Sequence, residues 1–222
     1  MSFPGATFTK NDYVYAQLRT RILTGELPAG SVIGQAKLAA ELGVSTTPLR
    51  EAIRRLAAEG MIDLEAHRDA RVTAVTADEA RHLYQVRESV DPLAASLAAR
   101  NRTGADISAV EFALSRLEPI SDARDLDALL RHREFHRAVY RASDNPVLID
   151  ILERLWDKAD RYRLVGLRHG EDSERDHARV EAEHVAIYEA VAAGDAEAAA
   201  QVMADHIRRS LGRRAIVALE SS

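Results

Sequence analysis

The chain has 222 residues, 46% of them hydrophobic, with a formal net charge of −5, enough apolar material for one large or two small cored domains. No run of about 18 apolar residues is present to span a bilayer, and the opening "MSFPGATFTKNDY" lacks the basic-then-apolar layout of a signal peptide, so a cytoplasmic location is expected. With no cysteine, disulfides, thiolate metal sites and cysteine nucleophiles are excluded, and any metal must be held by His, Asp or Glu.

Charge is unevenly placed: residues 1–76 carry 9 Lys+Arg against 8 Asp+Glu, and residues 77–222 carry 21 against 27. Of the eight histidines only His67 lies in the first part. The shift predicts two domains, 1–76 and 77–222, with different work.

In chain order, Asn11 is a plausible N-cap for "DYVYAQLRTRILTGEL", which places Tyr15, Leu18 and Ile22 on one face before "PAG" at 28–30 stops the helix. A short helix at 35–42 ends at Gly43, suited to a left-handed C′ position. A second, at 46–60, follows Ser45 as N-cap and has Pro48 in its first turn, where the missing N–H costs little. Helix, Gly turn, helix is the layout of a DNA-binding helix-turn-helix. The pieces 61–65 and 71–75 around a polar turn at 66–70 predict a β-hairpin wing.

On the helix at 46–60, Leu49, Ile53 and Leu56 form an inward row, and Thr46, Thr47, Arg50, Arg54 and Arg55 are the outward candidates. An arginine near such a helix start can reach guanine in the major groove, and threonine hydroxyls can donate to phosphate. Charged helix faces are usually only solvated. The complete unit with its wing is what points to DNA.

From Thr76 onward the pattern becomes long amphipathic helices, expected at about 78–101, 105–117, 123–142, 146–167, 172–193 and 196–218. The intervening "NRTGAD", "EPISDARD", "ASDNP", "GLRHGED" and "AAGDAE" each carry residues that end helices. The fold class expected is mainly α: a winged helix-turn-helix followed by an all-α bundle of about six helices.

"GVSTTPLREAIRRLAAEGMIDLEAHRDARV" resembles the winged helix of the GntR regulators, and "YQVRESVDPLAASLAAR", "FHRAVYRASDNPVL" and "EHVAIYEAVAAGDAEAAAQVMADHI" resemble the FCD effector domain of the FadR-type branch. Two departures fall in the first half. Thr46 stands where the family pattern usually has arginine, and Asp69 stands where glycine is usual, so the wing either sits differently or relies on His67, Arg68 and Arg71. The resemblance implies a homodimeric transcription factor on double-stranded DNA, for which a palindromic operator is expected. It also implies that the helical domain senses a small molecule, and that many members hold a metal with one aspartate and three histidines.

Spacing alone points to a metal set. His132 and His136, four residues apart, share one helical face with Cβ atoms about 6 Å apart. His184 and His206 lie ten residues before Gly194 and eleven after Asp195, so in an antiparallel hairpin both are roughly 15–17 Å from the turn and level with each other. His82, His169 and His177 are read as ordinary surface or core histidines. His132 occupies the position of the family's aspartate, and four neutral nitrogens favour zinc, nickel or cobalt over manganese or magnesium. A coordination position left open would admit water or an effector carboxylate, whereas tetrahedral closure would make the site structural.

The match of Arg87 to the family motif implies a bidentate carboxylate anchor, with a surface arginine as the alternative. Asn145 is read first as a helix cap and second as an effector contact, and Asp91 as structural. A metal-dependent enzyme of the helical-bundle type is the rival from another class, but no repeated Glu-x-x-His pairs or convincing Ser-His-Asp set occurs. A DNA-binding protein whose helical domain only dimerises is the third reading.

Overall fold

The computed structural model describes residues 9–64, 69–120, 125–168 and 174–221, which divide into two compact units, Met1–Val75 and Thr76–Ser222. In the first unit α1 spans Lys10–Thr24. Its N-cap is Thr9, not Asn11: Thr9 Oγ1 accepts from the Asp12 N–H at 3.2 Å while the Asp12 carboxylate accepts from the Thr9 N–H at 3.1 Å. This reciprocal box satisfies two end donors at once, which a cap at Asn11 has no partner to do. Gly25, at φ 79°, ends the helix ahead of "PAG". The buried row is Val14, Leu18 and Ile22; Tyr15 lies at its edge and gives its hydroxyl to Glu59.

Next come α2 (Gln35–Glu41), with Gly43 at φ 64°, and α3 (Thr46–Ala58), whose Leu49, Ala52, Ile53 and Leu56 face the core. The wing strands are shorter than expected, β1 (Ile62–Asp63) and β2 (Arg71–Val72), paired antiparallel with Ile62 opposite Val72. A segment not read as strand joins them: Val32 bridges to Arg71, and the Ile33 N–H donates to the Ala70 carbonyl at 2.8 Å. Two residues of strand signal are too few to stand out from the sequence.

The second unit contains α4 (Ala77–Asn101), α5 (Gly104–Leu114), α6 (Leu126–Arg141), α7 (Pro146–Arg168), α8 (Glu174–Ala193), α9 (Ala196–Arg208) and α10 (Leu211–Glu220). Thr76, Thr103, Asp125 and Asp195 cap α4, α5, α6 and α9 with their side chains. Helix α4 is central and packs on α6, α7, α8, α9 and α10. Its buried Ala80, Ala94, Ala95, Ala98 and Ala99 let neighbouring backbones approach closely.

The helix expected at 196–218 is two helices. Arg209 ends α9, and Ser210 is extended at φ −64°, ψ 149°, in the N-cap conformation that starts α10. Helix α10 then packs on α7 and α4, where a side chain at Gly212 would overlap the Tyr84 ring. Among the described residues no helix is long and apolar enough to cross a membrane.

Candidate functional site

Two regions carry chemistry, one in each unit. On α3, Thr46, Thr47, Arg50 and Arg54 are exposed; Arg54 pairs with Glu51 at 2.8 Å, and Arg50 has no ion pair among the described residues. Arg55 does not belong with them. Its guanidinium lies 3.6 Å from the centre of the Tyr15 ring and pairs with Glu59 at 3.4 Å and Asp12 at 3.6 Å, because its place on α3 turns it toward α1. Arg71 is exposed and donates to the Gly30 carbonyl at 2.5 Å. His67 and Arg68 lie outside the described residues.

In the second unit, α6 contributes His132 and His136, α8 contributes His184 and α9 contributes His206, all four buried. One potential ligand nitrogen from each lies within 4.8 Å of the others. The His184 and His206 rings, level across Gly194, are 4.7 Å apart, and the His132 and His136 rings 4.8 Å.

Two outer contacts orient the rings. His184 Nδ1 donates to the Val180 carbonyl at 2.7 Å, and His206 Nδ1 faces the Glu183 carboxylate at 3.0 Å. Each leaves Nε2 for the interior. Five ring nitrogens there, His132 Nδ1, both nitrogens of His136 and Nε2 of His184 and His206, are buried without a hydrogen-bond partner among the described residues. Burial, with the like charge each ring would present to its neighbours, holds His132, His136 and His184 well below the ordinary imidazole value, and burial lowers His206 despite Glu183. The rings are neutral at pH 7 and present lone pairs rather than charge.

A buried polar atom without a partner costs about 1–3 kcal/mol, so several in one place call for a binding partner. Zinc and similar ions bind imidazole nitrogen at about 2.0–2.1 Å, and a four-nitrogen set of this spread needs only small side-chain shifts to close on one ion. The donor set fits a divalent metal.

Beside the cluster is a cavity of about 250 Å³ lined in part by His132, His184, His206, Arg163, His177 and Arg209. Arg163 is the arginine the sequence reading missed. It is 1% exposed, its guanidinium lies 4.0 Å from the Trp156 ring centre, and its Nη2 has no partner. Burial and Arg87 lower its proton affinity, but a guanidinium remains charged.

Arg87 is neither surface nor cavity lining. It is wholly buried, pairs with Asp91 at 2.8 Å and lies 4.8 Å from the Trp156 ring centre. Asp91 also accepts from the Tyr140 hydroxyl at 2.5 Å. Burial opposes charge on Arg87, but Asp91 outweighs it and raises the guanidinium above its ordinary value. Asn145 takes the first of its two expected roles, since its Oδ1 accepts from the Leu148 N–H at 3.1 Å and caps α7; for the second, effector contact, it is not placed in the cavity lining. Of the histidines set aside, His82 is exposed, His169 lies outside the described residues, and His177 lines the cavity. Nothing local marks Arg163 or Glu183: the first faces the cavity because α7 packs there, and the second finds His206 only across the α8–α9 hairpin.

Comparison with known proteins agrees in both halves. Residues 10–72 match the family model described as bacterial regulatory proteins, gntR family, and residues 82–209, more than half of the chain, match the FCD domain. The chain is 29% identical over 198 residues to the HTH-type transcriptional repressor GlaR of Escherichia coli, covering 87% of this chain and 90% of that one. It is 28% identical over 190 residues to a probable D-xylose utilization operon transcriptional repressor of Paenarthrobacter nicotinovorans, covering 84% and 80%. The structure of Escherichia coli McbR/YncC superposes with a TM-score of 0.72 at 22% identity, covering 91% and 95%.

Proposed function

The chain belongs to the gntR family of bacterial regulatory proteins and carries an FCD domain, and from that premise we propose that metal and a small carboxylate, held in the helical unit, control its hold on DNA. It is a DNA-binding transcriptional regulator, and its relatives are named as regulators and repressors, not enzymes. The metal-enzyme reading is therefore dropped. The division of work follows the units: residues 1–76 bind double-stranded DNA, a palindromic operator read by a homodimer, and residues 77–222 bind the effector and dimerise. Thr46, Thr47 and Arg50 face the groove, with Arg54 and Arg71 toward phosphate. Work on DNA places the protein in the cytoplasm.

The observation that carries the reading is the set of five unpartnered buried ring nitrogens beside a cavity that also holds an unpartnered arginine nitrogen. His132, His136, His184 and His206 would hold one divalent ion, zinc or nickel by the chemistry of four imidazoles. A bound ion supplies positive charge at the cavity wall. Arg163 aligns an effector carboxylate there through its free Nη2, while Trp156 and Asp160 hold Arg163 in place and the Arg87–Asp91 pair lies against the same Trp156 ring. Arg87 thus acts behind the wall, and the anchor assigned to it from the family motif passes to Arg163. A helical unit that only dimerises gives no account of the orphan nitrogens or the cavity.

The test is metal analysis with operator binding. Purified protein reloaded with zinc or nickel and desalted should hold about one ion per chain, chelation should lower the melting temperature, and a small carboxylate should shift operator affinity. His184→Ala should lose the ion and His82→Ala keep it. Equal ion content in both variants, well below one per chain, would overturn the metal site.

A further inference from the structure

Nothing in the four-histidine set or Arg163 explains why the same cavity is also lined by His177. This ring is on α8, seven residues before His184. Seven residues advance a helix by about 10 Å and bring it round by close to two full turns, so both rings lie on one face, at opposite ends of the cavity. His177 Nε2 is buried and has no hydrogen-bond partner among the described residues. An apolar side chain of similar size would fill that space without leaving a polar atom unsatisfied.

The lining between and around these ends is graded. Val180, one turn from each histidine on α8, with Leu114 and Ile120, makes an apolar middle. Cationic Arg163 and Arg209 line the cavity with the four-histidine cluster; Glu181, four residues after His177 and three before His184, is an exposed carboxylate one turn from both, with no ion pair among the described residues. A carboxylate is attracted to the first end. A second carboxylate at the other end stands one turn from Glu181 without Arg163 to offset the repulsion, while His177 Nε2 offers a hydrogen bond to an uncharged group.

We propose that His177 is a second recognition point for the effector, and that it selects linear acids long enough to reach it with a hydroxyl at the far end. This rests on the carboxylate reading given above. Allowing about 3 Å for the hydrogen bond to His177, the ligand spans roughly 7 Å, the reach of an extended chain of about six carbons with bonds near 1.5 Å. His177 sets length and far-end chemistry; Arg163 and the metal end set the requirement for an acid.

The experiment is calorimetric titration of the zinc-loaded full chain with 6-hydroxyhexanoate, hexanoate, adipate and lactate. The expected order is 6-hydroxyhexanoate tightest, with hexanoate and adipate each weaker by about tenfold, one hydrogen bond lost or one repulsion gained. His177→Phe should remove the preference for 6-hydroxyhexanoate over hexanoate and leave lactate unchanged; His177→Gln should restore part of it. Equal affinity for 6-hydroxyhexanoate and hexanoate in the parent, or the same preference in His177→Phe, overturns the role of His177 while leaving the carboxylate reading intact. Lack of binding by every acid, lactate included, overturns both.

Discussion

His132, His136, His184 and His206 are neutral because burial holds their proton affinity down, helped by the charge of Arg163 and, for the first three, of neighbouring rings. The sign of the pH effect follows. Below the unfolded imidazole value of about 6.5 the unfolded chain takes up protons that the folded rings refuse, so stability is full above that pH and declines as pH falls toward the depressed folded values. Metal-free protein melted between pH 8 and 5 should lose stability steeply below about 6.5, and His136→Phe should flatten that slope. An unchanged slope would show that the cluster does not carry it. Arg87 and Arg163 separate in a similar way. Removing Arg87 leaves Asp91 buried and unpaired, so Arg87→Met should destabilise the helical unit by about 3–5 kcal/mol in denaturant melts. Arg163→Met should instead weaken carboxylate binding with a smaller loss of stability, since the ion pair it breaks is a 3.4 Å contact with Asp160 and a methionine can still cover the Trp156 ring. If both variants lose stability alike, Arg163 is a structural residue and not an anchor.

At the scale of an element, the hairpin joining α8 and α9 is what levels His184 with His206. Gly194 turns it at φ 77°, and a side chain there would meet the Arg102 guanidinium, which donates to the Ala192 carbonyl at 3.3 Å. Gly194→Ala should cost about 1 kcal/mol or more and weaken metal binding, because the strained turn shifts both ligands; unchanged melting and metal content would refute this. On α3 the contrast is between Arg50 and Arg55. Arg50→Ala should cost about 1–3 kcal/mol on the specific operator, checked by titration against specific and random DNA. Arg55→Ala should lower the melting temperature of the first unit by loosening α1, with a smaller effect on specificity, since its guanidinium is spent on Tyr15, Asp12 and Glu59.

For the whole molecule the quantity of interest is the coupling between effector and operator. Coupling of about 1–3 kcal/mol is typical, and it is reciprocal: if a carboxylate weakens operator binding, operator must weaken carboxylate binding by the same factor. Operator titrations with and without acid, and acid titrations with and without operator, check this. A factor seen in only one direction would mean that the acid acts on operator binding through ionic strength and not by binding the protein. Operator affinity should also fall steeply with salt, since neutralised phosphates release counterions.

The sequence by itself determined the elements and much of the cluster. Periods of 3.6, the break at "NRTGAD" and stops at Gly43 and Gly194 are local signals, and two histidines four apart or level across a hairpin are fixed by helix geometry. Local competition already limits this reading: Thr9 displaced Asn11 as cap because Asp12 could answer it, and Ser210 with Gly212 broke a helix that periodicity alone would continue. Only the tertiary structure decided which arginine meets the cavity. Arg87 and Arg163 lie on different helices, α4 and α7, and both approach Trp156. Arg87 meets Asp91 one turn along its own helix, a local pair, whereas the turn of Arg163 to the cavity follows from the packing of α7 against elements far away in the chain. His177 is the same case. On its own helix it is an ordinary exposed-face histidine, and it becomes a cavity residue only where Leu114, Ile120 and Arg163 close around it.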